Sequence, residues 1–189
     1  MNRDIILASS SPRRFELLRQ IGLSFQSIVP SVDESTDSTD PVQIVSELSA
    51  RKAAVVAKNN PLSVVIAADT VVTADGTVLG KPHGEEEAAA MLRFLSGRSH
   101  FVFTGVTVIC DGKIQTAICR SEVFFKDLSD QQIAAYIATS EPFDKAGSYG
   151  IQGRGALLVD HIDGDYANVV GLPLSMLYEM LKEFGIDIL

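Results

Sequence analysis

The chain has 189 residues, a formal net charge of −8 and 46% hydrophobic residues, enough for one sizeable core or two small lobes around a shared cleft. The acidic balance argues against a broad electrostatic footprint for duplex DNA or RNA, so any polyanion must be met locally. No charged segment leads into an apolar leader and no apolar stretch reaches the roughly 18 residues of a spanning helix, so the expected setting is cytoplasmic, without membrane or nucleic-acid partners. Cys110 and Cys119 occupy one apparent hairpin, whose Asp111-Gly112 turn would pair Cys110 with Lys113 rather than with Cys119, which leaves both thiols to packing in a reduced compartment. His83, His100 and His161 are scattered without metal-ligand spacing.

The apolar run Ile5 to Ala8 suits a buried strand, and a helix follows in which Ser11 is the N-cap, Pro12 occupies the first turn, and Leu17, Leu18 and Ile21 share one face. A helix N-terminus favours anions, so Arg13 and Arg14 placed there fit a phosphorylated ligand; the same residues also fit a capped helix with two solvated arginines. A strand is expected over 25–29, then an acidic loop over 31–40 in which Asp33 and Glu34 are either metal-binding oxygens or solvated loop residues. Helical spacing runs from Pro41 to Lys58 and carries Arg51 and Lys52. Val64 to Ala68 reads as a fully buried strand with Asp69 and Thr70 at its C-terminal end, where a carboxylate serves as a general base or magnesium ligand, or simply shapes a turn.

Asp75-Gly76 predicts a tight turn returning through Val78 to Gly80, and Lys81 between Gly80 and Pro82 is aimed at a phosphate or at solvent. A helix over 85–95 precedes a long hairpin formed by 101–110 and 114–125. Ser129 caps a helix that reaches Ala138. The segment Asp144 to Gly155 is glycine-rich and reads as a loop built for close backbone approach, but it is neither a Walker loop nor a Gly-x-Gly-x-x-Gly fingerprint. Within it Gln152 offers a donor and an acceptor to a base edge or to the loop's own backbone. A strand over 156–162 and a helix over 174–184 close a chain of α/β class with a mixed sheet.

Ser9-x-Ser11-Pro12-Arg13-Arg14, Val32-Asp33-Glu34, Lys52-Ala53, Ala68-Asp69-Thr70, Gly80-Lys81-Pro82, Leu95-Ser96-Gly97, Asp144-Lys145-Ala146-Gly147-x-Tyr149-x-Ile151-Gln152-Gly153 and Val170-Gly171-Leu172-Pro173 stand in the order found in the Maf family, which the chain resembles over almost its whole length. The resemblance implies one domain over 1–189, two lobes around a central cleft, with the elongated mixed sheet and flanking helices of the inosine triphosphatase (Maf/Ham1-like) fold. It implies a nucleoside triphosphate pyrophosphatase that cleaves between the α- and β-phosphates with Mg²⁺ or Mn²⁺, as a homodimer. Asp69 matches the family's base, Glu34 with Asp69 its metal-ligating carboxylates, and Ser9, Arg13, Arg14, Lys52 and Lys81 its substrate-binding positions. Arg13, Thr70 and Gln152 match the branch that acts on dTTP and UTP, whereas the 7-methyl-GTP branch differs at all three. The rival readings are that second branch and a non-enzymatic, nucleotide-binding regulator of cell division.

Overall fold

The computed structural model describes residues 3–189. One mixed sheet contains β1 (Ile5–Leu7), β2 (Gln26–Ser27), β3 (Val64–Ala74), β4 (Thr77–Leu79), β5 (Ser99–Cys110), β6 (Lys113–Phe125) and β7 (Val159–Asp163), in the spatial order β2-β1-β3-β5-β6-β7 with β4 paired to β3. The helices are α1 (Pro12–Gln20), α2 (Pro41–Ala57), α3 (Glu85–Leu95), α4 (Asp130–Ile137), α5 (Tyr166–Val170) and α6 (Leu174–Lys182). Strands β1, β2 and β3 run parallel, and all other pairings are antiparallel. The mixed α/β architecture is therefore the one expected.

Side-chain alternation along β3 sorts the core into two layers. Val65, Ala67 and Val71 pack on the face covered by α2, against Val45, Leu48, Ala53 and Val56. Val64, Ile66, Ala68 and Val72 join the larger core under α1, α3, α4 and α6, with Leu18, Leu92, Ile133 and Leu177. Both turns read from Asp-Gly pairs form: Asp75-Gly76 and Asp111-Gly112 have positive φ at both residues, the geometry of a two-residue hairpin turn. Cys110 pairs with Lys113, and both cysteines are free.

Several boundaries differ from expectation. β3 does not stop at Ala68 but continues to Ala74, because the β-branched run Thr70-Val71-Val72-Thr73 pairs with Phe101 to Thr104 of β5. Asp69 and Thr70 accordingly sit in mid-strand. The expected strand over 25–29 shrinks to Gln26–Ser27, and residues Gly153–Leu157 form a 3₁₀ turn that delays β7 to Val159. α5 escaped the periodicity reading because five residues are too few for a pattern; Asp165 caps it by accepting from Ala167 and Asn168 N–H. Ser129 caps α4 through a reciprocal capping box with Gln132. Ser11 occupies the N-cap position of α1 but makes no side-chain cap; its own N–H donates to Ser9 Oγ at 3.1 Å.

Candidate active site

A notch in the sheet creates the site. One edge of β3 pairs with β1 only as far as Ile66 and with β4 only from Val72, so among the described residues 67–71 have no strand partner on that side. A cleft of about 1000 Å³ opens there, large enough for a nucleotide. Because neighbouring residues of a strand face opposite ways, the open edge lets side chains from both layers reach one cavity. Asp69 points into the α2 layer and Thr70 into the α1 layer.

On the α2 side, Lys52 Nζ donates to Asp69 Oδ1 at 2.6 Å and lies 3.0 Å from Glu34 Oε1. Lys52 and Asp69 are buried, whereas Glu34 is exposed on the loop above them. Gly105 makes this approach feasible. It lies directly across from Asp69, and a Cβ there would meet Val45 O of α2 at 2.4 Å, so only glycine lets the helix backbone lie on β5. The loop bearing Glu34 is strapped to α2 by Arg51, whose Nη1 donates to the carbonyls of Asp33 at 3.2 Å and Ser35 at 2.8 Å. Asp33, weighed from sequence as a metal oxygen, is turned away. Its carboxylate accepts from Ser35 N and Ser35 Oγ, both at 2.8 Å, and Asp33 does not line the cleft.

On the α1 side, Arg14 donates through Nε to Gly171 O at 2.8 Å, through Nη2 to Thr70 Oγ1 at 3.1 Å and through Nη1 to Ser9 Oγ at 3.4 Å. Burial pushes its guanidinium below the ordinary value, with the Asp69 charge acting in the opposite direction. The first turn of α1 lines the cleft without a side-chain cap, an arrangement that suits an anion. Arg13 reaches across to Asp144, at 3.0 Å. Burial alone would raise the Asp144 carboxyl, but hydrogen bonds and charge from Lys145 and Arg13 outweigh it and hold the group below the usual carboxylate range.

The glycine-rich segment forms the far wall. Tyr149 is buried with its ring edge-on to His100 and Phe125, and its hydroxyl lies 2.7 Å from His100 Nε2. Gly150 N donates to Tyr136 Oη at 3.1 Å, while Glu141 accepts from Arg154 N and Gly155 N at 3.1 and 3.2 Å. Gly155 passes so close to Gly150 O that an added Cβ would lie 2.0 Å away. These contacts hold Gln152, half-buried, at the cleft. Gly147 N donates to Gly80 O at 3.0 Å and so ties the strip bearing Lys81, which is exposed, to the same wall. Asp33 apart, the residues singled out from sequence as site candidates, namely Ser9, Arg13, Arg14, Glu34, Lys52, Asp69, Thr70, Lys81 and Gln152, line this one cleft.

The cleft also contains Lys145, which sequence reasoning passed over. Its ammonium donates to Glu141 O and Asp144 Oδ1, both at 2.6 Å, leaving one of three donors for a ligand. A cation inside the glycine-rich segment was the available signal. The resulting wall of cations around a buried Lys52–Asp69 pair can hold a polyphosphate, and Asp69 Oδ2, the oxygen that Lys52 does not engage, can take a proton from water.

The family model for Maf-like proteins matches residues 4–184. A dTTP/UTP pyrophosphatase of Bacillus cereus (strain AH820) is 51% identical over 187 residues, covering 98% of each chain. Proteins of the same name from Bacillus thuringiensis subsp. konkukian (strain 97-27) and Bacillus anthracis (strain CDC 684 / NRRL 3495) are 51% and 50% identical, again over 98% of each chain. Among solved structures, the Ham1 protein of Staphylococcus aureus matches with a TM-score of 0.55 and 14% identity, covering 96% of this chain and 97% of that one, a likeness of fold alone that agrees with the Maf/Ham1-like architecture. With the family's model spanning the sheet, both layers and every wall of the cleft, the chain belongs to the family of Maf-like proteins.

Proposed function

We propose that this chain is a nucleoside triphosphate pyrophosphatase that hydrolyses dTTP and UTP, together with related or modified pyrimidine triphosphates, to the monophosphate and pyrophosphate. The observation that carries the reading is the convergence of Asp69, Lys52 and Glu34 at the notch of β3, inside a cleft walled by Arg13, Arg14, Lys81 and Lys145. Half-identical relatives that bear the name dTTP/UTP pyrophosphatase along their full length support it. The triphosphate lies along the cations, which neutralise charge as the bridging oxygen between the α- and β-phosphates departs with pyrophosphate. Asp69 Oδ2 accepts the proton of the attacking water, whose oxygen forms the new bond to phosphorus. Gln152 presents its carboxamide to the pyrimidine edge, where one N–H and one carbonyl need an acceptor and a donor.

Glu34 and Asp69 also fit a divalent cation. Two carboxylates from separate segments flank one point of positive charge, and Mg²⁺ or Mn²⁺ in phosphoryl sites takes one or two protein carboxylates and completes its shell with phosphate oxygens and water. Among the described residues no group of three or more His, Cys, Asp or Glu is placed to hold a metal ion, so phosphate oxygens and water would complete the shell. Bound there, the cation supplies neutralisation and orientation of the triphosphate.

The resemblance carries two further expectations, one Maf-like domain with its two lobes around the cleft and a cytoplasmic homodimer; no described helix is long and apolar enough to cross a membrane. Light scattering of the purified chain tests the dimer. The function is tested by kcat/KM on a panel of UTP, dTTP, CTP, ATP, GTP and 7-methyl-GTP with Mg²⁺. UTP and dTTP lead if the reading holds; leadership by 7-methyl-GTP, or no hydrolysis at all, overturns it.

A further inference from the structure

Thr104 is fully buried on β5, directly across from Thr70 in the β3–β5 register. Its Oγ1 lies 3.1 Å from the carbonyl oxygen of Asn168, itself fully buried, and 2.9 Å from Thr70 Oγ1, which in turn lies 3.1 Å from Arg14 Nη2. Each hydroxyl has a single proton, a carbonyl can only accept, and a guanidinium can only donate. One order of protons satisfies all three contacts: Thr104 donates to Asn168 O, Thr70 donates to Thr104, and Arg14 donates to Thr70. Reversing the middle bond would spend the Thr104 proton on Thr70 and strip Asn168 O of that donor. The network is anchored at its far end, since Asn168 Nδ2 donates to Val102 O at 3.1 Å and Ser121 Oγ at 2.9 Å. Three residues after Asn168, the Gly171 carbonyl takes Arg14 Nε at 2.8 Å.

We infer that Thr104 is a positioning residue: by taking the Thr70 proton it fixes Thr70 as an acceptor toward Arg14, so Thr70 acts on the phosphate end of the substrate through Arg14 and donates no hydrogen bond to the base. The inference rests on reading the cleft as a nucleoside triphosphate site. It reassigns the part played by Thr70, which the branch comparison associates with substrate choice, and it brings in a residue that touches no ligand.

The test uses pyrophosphate as a probe that has no base. Its affinity is measured by calorimetry with Mg²⁺ on the full-length protein and on Thr104→Val, Thr104→Ser, Thr70→Val and Thr70→Ser, alongside kcat/KM for UTP and 7-methyl-GTP. Both valine variants should bind pyrophosphate about tenfold more weakly, the loss expected when a hydrogen bond to a charged group goes. They should lower turnover of both nucleotides by one common factor, mainly through KM, and both serine variants should restore binding. Unchanged pyrophosphate affinity in the valine variants, or serine variants as defective as valine, overturns the inference. So does a Thr70→Val change in the UTP to 7-methyl-GTP ratio with pyrophosphate binding intact. If the wild-type protein binds pyrophosphate but hydrolyses no nucleotide, the functional reading fails while the binding series still decides the role of Thr104.

Discussion

Replacing Gly105 with alanine should disable the site without touching any residue in it. The new Cβ would lie 2.4 Å from Val45 O and 2.6 Å from Val45 C, where ordinary contact begins at 3.4 Å. Both partners are backbone, so no rotamer change relieves the clash and α2 must withdraw by about 1 Å. Overpacking of this kind costs about 1–3 kcal/mol, which lowers the melting temperature by roughly 2–12 °C for a chain of this length. Lys52 stands two turns beyond Val45 on the same helix, so its 2.6 Å bond to Asp69 stretches past hydrogen-bonding range. A displacement near 1 Å at a reacting centre lowers turnover on the order of 10²-fold. Pyrophosphate release from UTP and a thermal melt, read on the same preparation, give both numbers. If Gly105→Ala keeps its melting temperature and stays within about twofold of wild-type kcat/KM, the packing of α2 on β5 does not set the Lys52–Asp69 geometry.

Gln152→Glu removes the carboxamide donor that the pyrimidine carbonyl needs, so kcat/KM for UTP and dTTP should fall about 10²-fold while pyrophosphate inhibition is unchanged; an equal loss in pyrophosphate affinity would mean that Gln152 braces the loop instead. Chelation by EDTA should silence hydrolysis, and added Mg²⁺ or Mn²⁺ should restore it; full activity in chelator would remove the metal role from Glu34 and Asp69. Burial pushes the His100 imidazole down to about 4 from its usual 6.5, so between those values the unfolded chain takes a proton that the folded chain refuses. Stability should thus be intact above pH 6.5 and fall by about 3 kcal/mol as pH drops to 4, and denaturant melts of His100→Gln over the same range should be distinctly flatter. Identical slopes for the two proteins would refute it.

Lys145 apart, the residues proposed for the cleft were legible in the sequence, and the notch that gathers them was not. Asp69 was suspect because a carboxylate followed five apolar residues, but a buried strand read alone has no visible end, and its continuation to Ala74 depended on pairing with β5. The gap between β1 and β4 depends on where two other strands stop, which no local pattern encodes. Asp33 and Glu34 are adjacent acids of equal promise until Ser35 captures one and Lys52 the other. Thr104 and Gly105 carried no signal as members of a long β-rich run; their parts come from register, one opposite Thr70 and the other opposite Asp69. Ser11 was the right residue for a cap by type, yet its hydroxyl leaves the helix N-terminus open at the cleft.

The most direct test of the account follows the phosphorus products of UTP with Mg²⁺, comparing wild-type protein with Asp69→Asn. UMP and pyrophosphate in equal amounts are expected from the wild type, with no orthophosphate. Asp69→Asn should retain nucleotide binding and lose roughly 10²–10⁴-fold in kcat, as befits removal of a general base. Orthophosphate and UDP as products, or near wild-type turnover in Asp69→Asn, would contradict a pyrophosphatase centred on the notch of β3.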